Sequence, residues 1–252
     1  MNLDHPTAAL IQPLRDLWKE AFGDSDAFLD SFFSIAYAPE RCRCIATEGA
    51  VDAALYWFDV FCGNQKFAYI YAVATAAAAR GKGCCRTLME DTAEVLKNAG
   101  YHGALLVPQD EGLRAMYGRM GYLPATSIDE CICAAGETSA PFSEITPEAY
   151  ADRRPALLPD GSVELGGESL AFLAAHARFY EGDGLLAAVS REQEHLRILE
   201  YLGDRTAVPA LVAALGRTEV TLRTPGTGTP LAMYLPLIPD CRKPDYFAFC
   251  FD

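Results

Sequence analysis

Histidine is scarce in this chain. His5, His102, His176 and His195 stand far apart in 252 residues, and the nine cysteines contain no C-x-x-C pair. That excludes the common zinc spacings, so no metal is expected. The cysteine number is odd, and Cys42-x-Cys44 and Cys131-x-Cys133 have strand spacing. They read as small buried hydrophobes of a reducing compartment rather than a disulfide framework. Positive charge is also short: 21 basic residues face 34 acidic ones, a net charge of −13. Such a surface repels nucleic acid and anionic membranes, so neither is expected as a partner. No apolar run approaches the roughly 20 residues of a membrane span. No basic, apolar segment opens the chain, so a cytoplasmic location is expected.

What is present suits folded domains. Hydrophobic residues make up 51%, enough for a sizeable core. Helical spacing runs through 11–37, with Gly23-Asp24-Ser25-Asp26 as a stop and a fresh N-cap. Strand patterns follow at 42–47, 51–59 and 66–75, then a helix at 84–98. A short apolar strand at 103–107, a helix at 110–120 and a strand at 128–134 complete a mixed α/β sheet flanked by helices. Turn-rich residues near 136–147 predict a boundary, giving domains 1–138 and 139–252. The second half repeats the strand-strand-helix-strand-strand order: a helix at 168–180, strands at 184–190 and 195–202, a helix at 205–215, then strands at 219–224, 231–238 and 246–251. A smaller duplicate of the first domain is predicted.

The segment richest in chemistry is 69–86. An apolar strand enters the small-residue stretch 76–79, then Arg80-Gly81-Lys82-Gly83, then a helix beginning at Cys84-Cys85-Arg86. A glycine turn at a helix start holds phosphate, because the first-turn N–H groups are unspent and the dipole is positive there. A Walker loop would place Ser or Thr after Gly-Lys, but Gly83 stands there. A dinucleotide loop would need glycine where Arg86 stands. The pattern R-x-x-G-x-G/A is met by Arg80 to Cys85, with Cys85 as its one departure. Cys84 and Cys85 at a helix start beside Arg and Lys also raise the question of a nucleophilic thiol.

Tyr69-Ile-Tyr-Ala-Val-Ala-Thr75, Arg80-Gly-Lys-Gly83 and, about 35 residues on, Leu113-Arg-Ala-Met-Tyr117-Gly-Arg-Met-Gly121-Tyr122 together resemble the GNAT superfamily of N-acetyltransferases over residues 1–135. The resemblance implies acetyl-CoA as acyl donor. Its pyrophosphate would meet Arg80, Gly81, Lys82, Gly83, Cys84, Cys85 and Arg86. Its pantetheine arm would pair with the backbone of Ala72, Val73 and Ala74. Tyr117 would protonate the departing thiolate. The base is less defined: Tyr71, Glu48 and Asp59 lie on or beside strands that would frame an acceptor pocket, and Asp110 reads as a helix cap. The apolar end, Tyr246 to Asp252, resembles the enhanced-intracellular-survival type of tandem acetyltransferase, which implies a role for the Asp252 carboxylate. The second half lacks the loop motif, having Gly203-Asp-Arg-Thr in its place. It is expected not to bind CoA, and instead to cover the first domain's sheet edge. The expected activity is acetyl transfer to a primary amine of a small acceptor. The alternative is an idle acyl-CoA-binding regulatory module.

Overall fold

The computed structural model describes residues 2–136, 141–192 and 196–248. Along the chain run β1 (Asn2–Asp4), α1 (Ile11–Phe22), α2 (Asp26–Ile35), β2 (Cys42–Thr47), β3 (Ala50–Cys62), β4 (Gln65–Thr75), α3 (Cys84–Asn98), β5 (Gly103–Leu106), α4 (Glu111–Gly118) and β6 (Leu123–Pro124). Then come β7 (Ser127–Ala134), β8 (Ser143–Ile145), α5 (Pro147–Arg153), α6 (Gly167–His176), β9 (Ala177–Gly182), β10 (Leu185–Ser190), β11 (Arg197–Leu202), α7 (Val208–Ala214), β12 (Glu219–Pro225), β13 (Thr229–Pro230) and β14 (Met233–Pro236).

These elements form two compact units, 1–123 with 233–243 and 124–232 with 244–252. The division differs from the sequence boundary at 138/139 by an exchange of strands. β7, read as the last strand of the first domain, pairs with β12 in the second unit from Ile128↔Pro225 to Ala134↔Glu219. β14, read as part of the second domain, pairs with β5 in the first, Met233↔Leu106 to Pro236↔Gly103. Turn-forming residues mark where the chain reverses. They carry no information about which sheet a strand joins.

In the first unit, β2, β3 and β4 are antiparallel, and β5 joins β4 in parallel through α3. Helix α1 buries Leu14, Leu17 and Trp18, one face of a 3.6-residue period, and ends at Gly23 with φ 74°. Helix α2 starts where the Ser25 hydroxyl accepts the Phe28 N–H. These helices cover one sheet face with packed rings: Trp18 and Phe32 lie 4.6 Å apart, and Tyr56 is 5.1 Å from Trp18. The opposite face carries Leu55, Trp57 and Ile70 against Leu88, Leu96, Tyr117 and Met233. The alternation of Leu55, Tyr56 and Trp57 between two cores is the period-2 signature of a strand covered on both sides.

The second unit repeats the theme. β8, β9, β10 and β11 are antiparallel, and β12 joins β11 in parallel after α7. One face packs Leu185, Val189, Ile198, Leu211 and Leu222. Elsewhere in the unit Arg154 grips Glu200 with two hydrogen bonds of 2.7 and 2.9 Å, and the Tyr150 hydroxyl donates to the same carboxylate at 2.5 Å. Both charged side chains are fully buried, and burial and the guanidinium act oppositely on Glu200; its pKa lies below the ordinary carboxylate value.

Three expectations change. The helix read over 168–180 ends at His176, and Ala177–Gly182 is strand β9, paired with β10. Its alternation of buried Ala177 and Phe179 with exposed Arg178 is strand-like. The strand read over 246–251 shows only a bridge of Tyr246 to Ser162 among the described residues. Cys42 and Cys44 are buried as expected, but Cys131 is exposed and Cys133 half-buried.

Candidate active site

The site begins where two parallel strands part. β4 pairs with β5 only through Phe67↔Gly103, Ala68↔Ala104 and Tyr69↔Leu105, after which β5 ends at Leu106 while β4 continues to Thr75. From Ile70 onward β4 therefore keeps β3 on one side and, among the described residues, has no strand on the other. A strand edge without a neighbouring strand can present backbone donors and acceptors to an extended amide-bearing ligand.

β4 is also bent there. Ala54 faces Ala74 and Tyr56 faces Tyr71, so the single residue Leu55 opposes both Ala72 and Val73. This is a β-bulge, and Ala72 takes φ 50°. An alanine in the left-handed region costs about 1–2 kcal/mol. Such strain persists where surrounding structure imposes it, and bulges re-aim backbone groups. No local signal predicts this: alanine is not a residue that seeks positive φ, and a run of small residues gives no register.

The chain then turns into the phosphate-type loop. The Ala76 N–H reaches Asp52 O at 2.9 Å, the Ala77 N–H reaches Glu20 Oε1 at 2.6 Å, and Arg80 Nε donates to Thr75 O at 3.2 Å. Gly81 and Gly83 take φ 75° and 83°, and a Cβ on either would meet nothing within 4 Å. Gly81, Lys82, Gly83 and Arg86 are exposed. Gly83 is the N-cap of the fifteen-residue α3 and supplies no side-chain cap. The first turn of α3 is thus an open, electropositive end beside Lys82 and Arg86.

Tyr117 comes from α4, whose start is fixed by Asp110 Oδ1 accepting the Leu113 N–H at 2.7 Å. That is the capping role read for Asp110. Tyr117 is 6% exposed and shares one apolar cluster with Cys84, with half-buried Val73 and Cys85 packed against it. Its ring meets Tyr122 edge-on at 5.8 Å. Burial, and secondarily Cys85, pushes its phenol well above the usual tyrosine value. It stays protonated at neutral pH, the form that can donate to a sulfur anion.

The other sequence candidates lie apart. Tyr71 belongs to the ring layer under α1 and α2, 5.7 Å from Trp18 and 5.6 Å from Phe58, on the sheet face opposite Tyr117's cluster. Asp59 sits at the pairing position of Ala68, before the strands part. There it accepts from the Tyr101 hydroxyl and pairs with Lys66 at 2.9 Å. That set, completed by Trp57 Nε1 on the Tyr101 hydroxyl at 3.1 Å, escaped the sequence reading because its members are scattered. Glu48 lies exposed in the β2–β3 turn. Asp252 lies outside the described residues. Burial, and secondarily Cys84, raises the Cys85 thiol pKa, which counts against the nucleophile reading. No group of three or more metal-ligating side chains occurs among the described residues, and no helix among them is long and apolar enough to cross a membrane.

A family model described as an acetyltransferase (GNAT) domain matches residues 3–125. No curated protein sequence matches the chain. Solved structures match its fold over most of its length. A GCN5-related N-acetyltransferase from Kribbella flavida aligns with TM-score 0.70 at 15% identity, covering 92% of this chain and 70% of that one. Eis1 from Mycobacterium abscessus aligns with TM-score 0.68 at 12% identity, covering 94% and 74%. A tandem GNAT protein from the clavulanic acid biosynthesis pathway aligns with TM-score 0.61 at 13% identity, covering 95% and 100%. At such identities the likeness is one of fold, and it extends through both units. Residues 3–125, which build the strand wedge, the bulge and the open helix end, are thus the part of the chain that matches the acetyltransferase (GNAT) domain model.

Proposed function

We propose that this protein transfers an acetyl group from acetyl-CoA directly to the primary amine of a small acceptor. The observation that carries the reading is the succession of three features along residues 69–84: the parting of β4 from β5 after Tyr69, the bulge at Ala72–Val73, and the exposed start of α3 at Gly83. Their order matches the order of parts in an acyl-CoA: acyl group, amide-bearing arm, diphosphate. The unpaired edge at Ala72, Val73 and Ala74 hydrogen-bonds the arm. The first-turn amides of α3, with Arg80, Lys82 and Arg86, hold the diphosphate.

The backbone N–H near Val73 polarises the thioester carbonyl and stabilises the negative charge that develops on its oxygen. Holding the amine against that carbon supplies much of the rate. The amine nitrogen bonds to the carbonyl carbon, the carbon–sulfur bond breaks, and Tyr117 gives its proton to the sulfur. The proton lost by the amine passes to water and restores the phenol. No metal takes part in this scheme. The partner is a small amine, not nucleic acid or membrane, which accords with a net charge of −13, and the protein works in the cytoplasm.

The test is thiol release from acetyl-CoA over a broad amine panel, alongside thermal shifts with acetyl-CoA, ATP and NAD. Stabilisation by acetyl-CoA alone and turnover on at least one amine are expected. Binding without turnover on any amine makes the protein an idle acyl-CoA module, and no binding removes the donor. A R80A/K82A double variant is expected to weaken acetyl-CoA binding by about tenfold or more. It should also flatten the salt dependence of binding, since two exposed cations are removed.

A further inference from the structure

The second unit contains a cavity of about 320 Å³ between β9, β10 and the end of α7. We infer that it binds a small amphipathic carboxylate, one acidic headgroup on an apolar body. Its base is apolar: Val189 and Leu211 are buried, and Leu215 is half-buried. Its charged lining among the described residues is of one sign: Arg178, Arg191 and Arg217 border it, and no described Asp or Glu does, in a chain with 34 acidic and 21 basic residues.

The three arginines are held differently. Arg191 is fixed, with Nε donating to Ala177 O at 3.1 Å and Nη2 to Ala174 O at 3.3 Å. Arg178 projects from the exposed face of β9 and forms no ion pair among the described residues. Arg217 follows α7 and is half-buried. Guanidinium groups on different elements converging on one apolar hollow suit a planar carboxylate, which accepts two parallel hydrogen bonds. The hollow beneath takes the apolar body, and the volume is at the lower end for small-ligand pockets. The cavity shares no residue with the proposed acetyl-transfer site, and the inference stands whether or not that reading does.

Calorimetric titration of the full chain with sodium octanoate tests it. Octanamide keeps the chain and lacks the charge; acetate keeps the charge and lacks the chain. One octanoate site is expected with a Kd below about 1 mM, and both controls should bind at least about tenfold more weakly. Saturating CoA should leave octanoate binding unchanged. R178Q/R217Q should lose about tenfold or more in affinity. If that variant does not fold, R178Q alone, at an exposed strand position, should lose severalfold. Equal binding of octanamide, wild-type affinity in the arginine variants, displacement by CoA, or no octanoate binding at all would each overturn the inference.

Discussion

Replacing Tyr117 with phenylalanine is expected to lower kcat by about 100-fold while leaving acetyl-CoA affinity within about twofold of the parent. The ring stays. It keeps its edge-on contact with Tyr122 and its place against Cys84 and Val73, so positioning of the donor is little disturbed. Only the hydroxyl goes, and with it the proton for the departing sulfur. Acid catalysis by one side chain contributes roughly 10²- to 10⁴-fold, about 2.7 kcal/mol or more of barrier. A uniform loss of binding would instead raise KM with kcat unchanged. The pH profile follows from the same burial. Burial raises the folded-state pKa of Tyr117 above the unfolded value of about 10. The protonated phenol therefore persists past pH 10 in the folded protein; the stability linked to it is full below about pH 10 and is lost as pH rises from there through the higher folded value. Parent kcat should show no alkaline fall near pH 10 from this group. Stopped assays from pH 7 to 10 check it, and an unchanged kcat in Y117F removes the acid assignment.

The parts of this site that were legible in the sequence are those with local physical causes. Gly81 and Gly83 stand where positive φ is needed, and both take it. Asp110 stands one residue before α4 and caps it. The strand-strand-strand-helix-strand order of 42–106 follows from changes in hydrophobic period. What was hidden depends on distant partners. The bulge at Ala72 exists because β3 offers one residue to two, and nothing within residues 69–75 encodes that. Asp59 reads as a free carboxylate in sequence, yet Lys66 and Tyr101 occupy it. The exchange of β7 and β14 was invisible for the same reason: alternation tells which side of a strand is buried, not which sheet buries it. Ala177–Gly182 reads as helix because apolar residues from Ala171 to Tyr180 fit both helical and strand spacings; the hairpin at Asp183-Gly184 decides in favour of strand.

That exchange leads to the largest stability effect. Met233→Asp is expected to destabilise the first unit by more than about 4 kcal/mol and to abolish acetyl-CoA binding, although it lies 110 residues beyond Leu123, the last residue of that unit's main segment. Met233 is 2% exposed and packs in the same cluster as Leu88, Leu106 and Tyr117. It pairs with Leu106, the last residue of β5. A carboxylate there would be buried without a partner, or would pull β14 off the sheet to reach water. Losing β14 would bare the edge of β5 and take Leu235 and Leu237 from the cluster. The conservative change Met233→Leu keeps volume and should cost less than about 1.5 kcal/mol, so the aspartate result would not reflect a position intolerant of any change. Urea melts followed by tryptophan fluorescence report on this unit alone, because Trp18 and Trp57 both belong to it. If the unit melts as the parent does in Met233→Asp, β14 is a dispensable edge. If it melts early and acetyl-CoA no longer shifts the midpoint, the acyl-donor half of the protein depends for its fold on residues near the far end of the sequence.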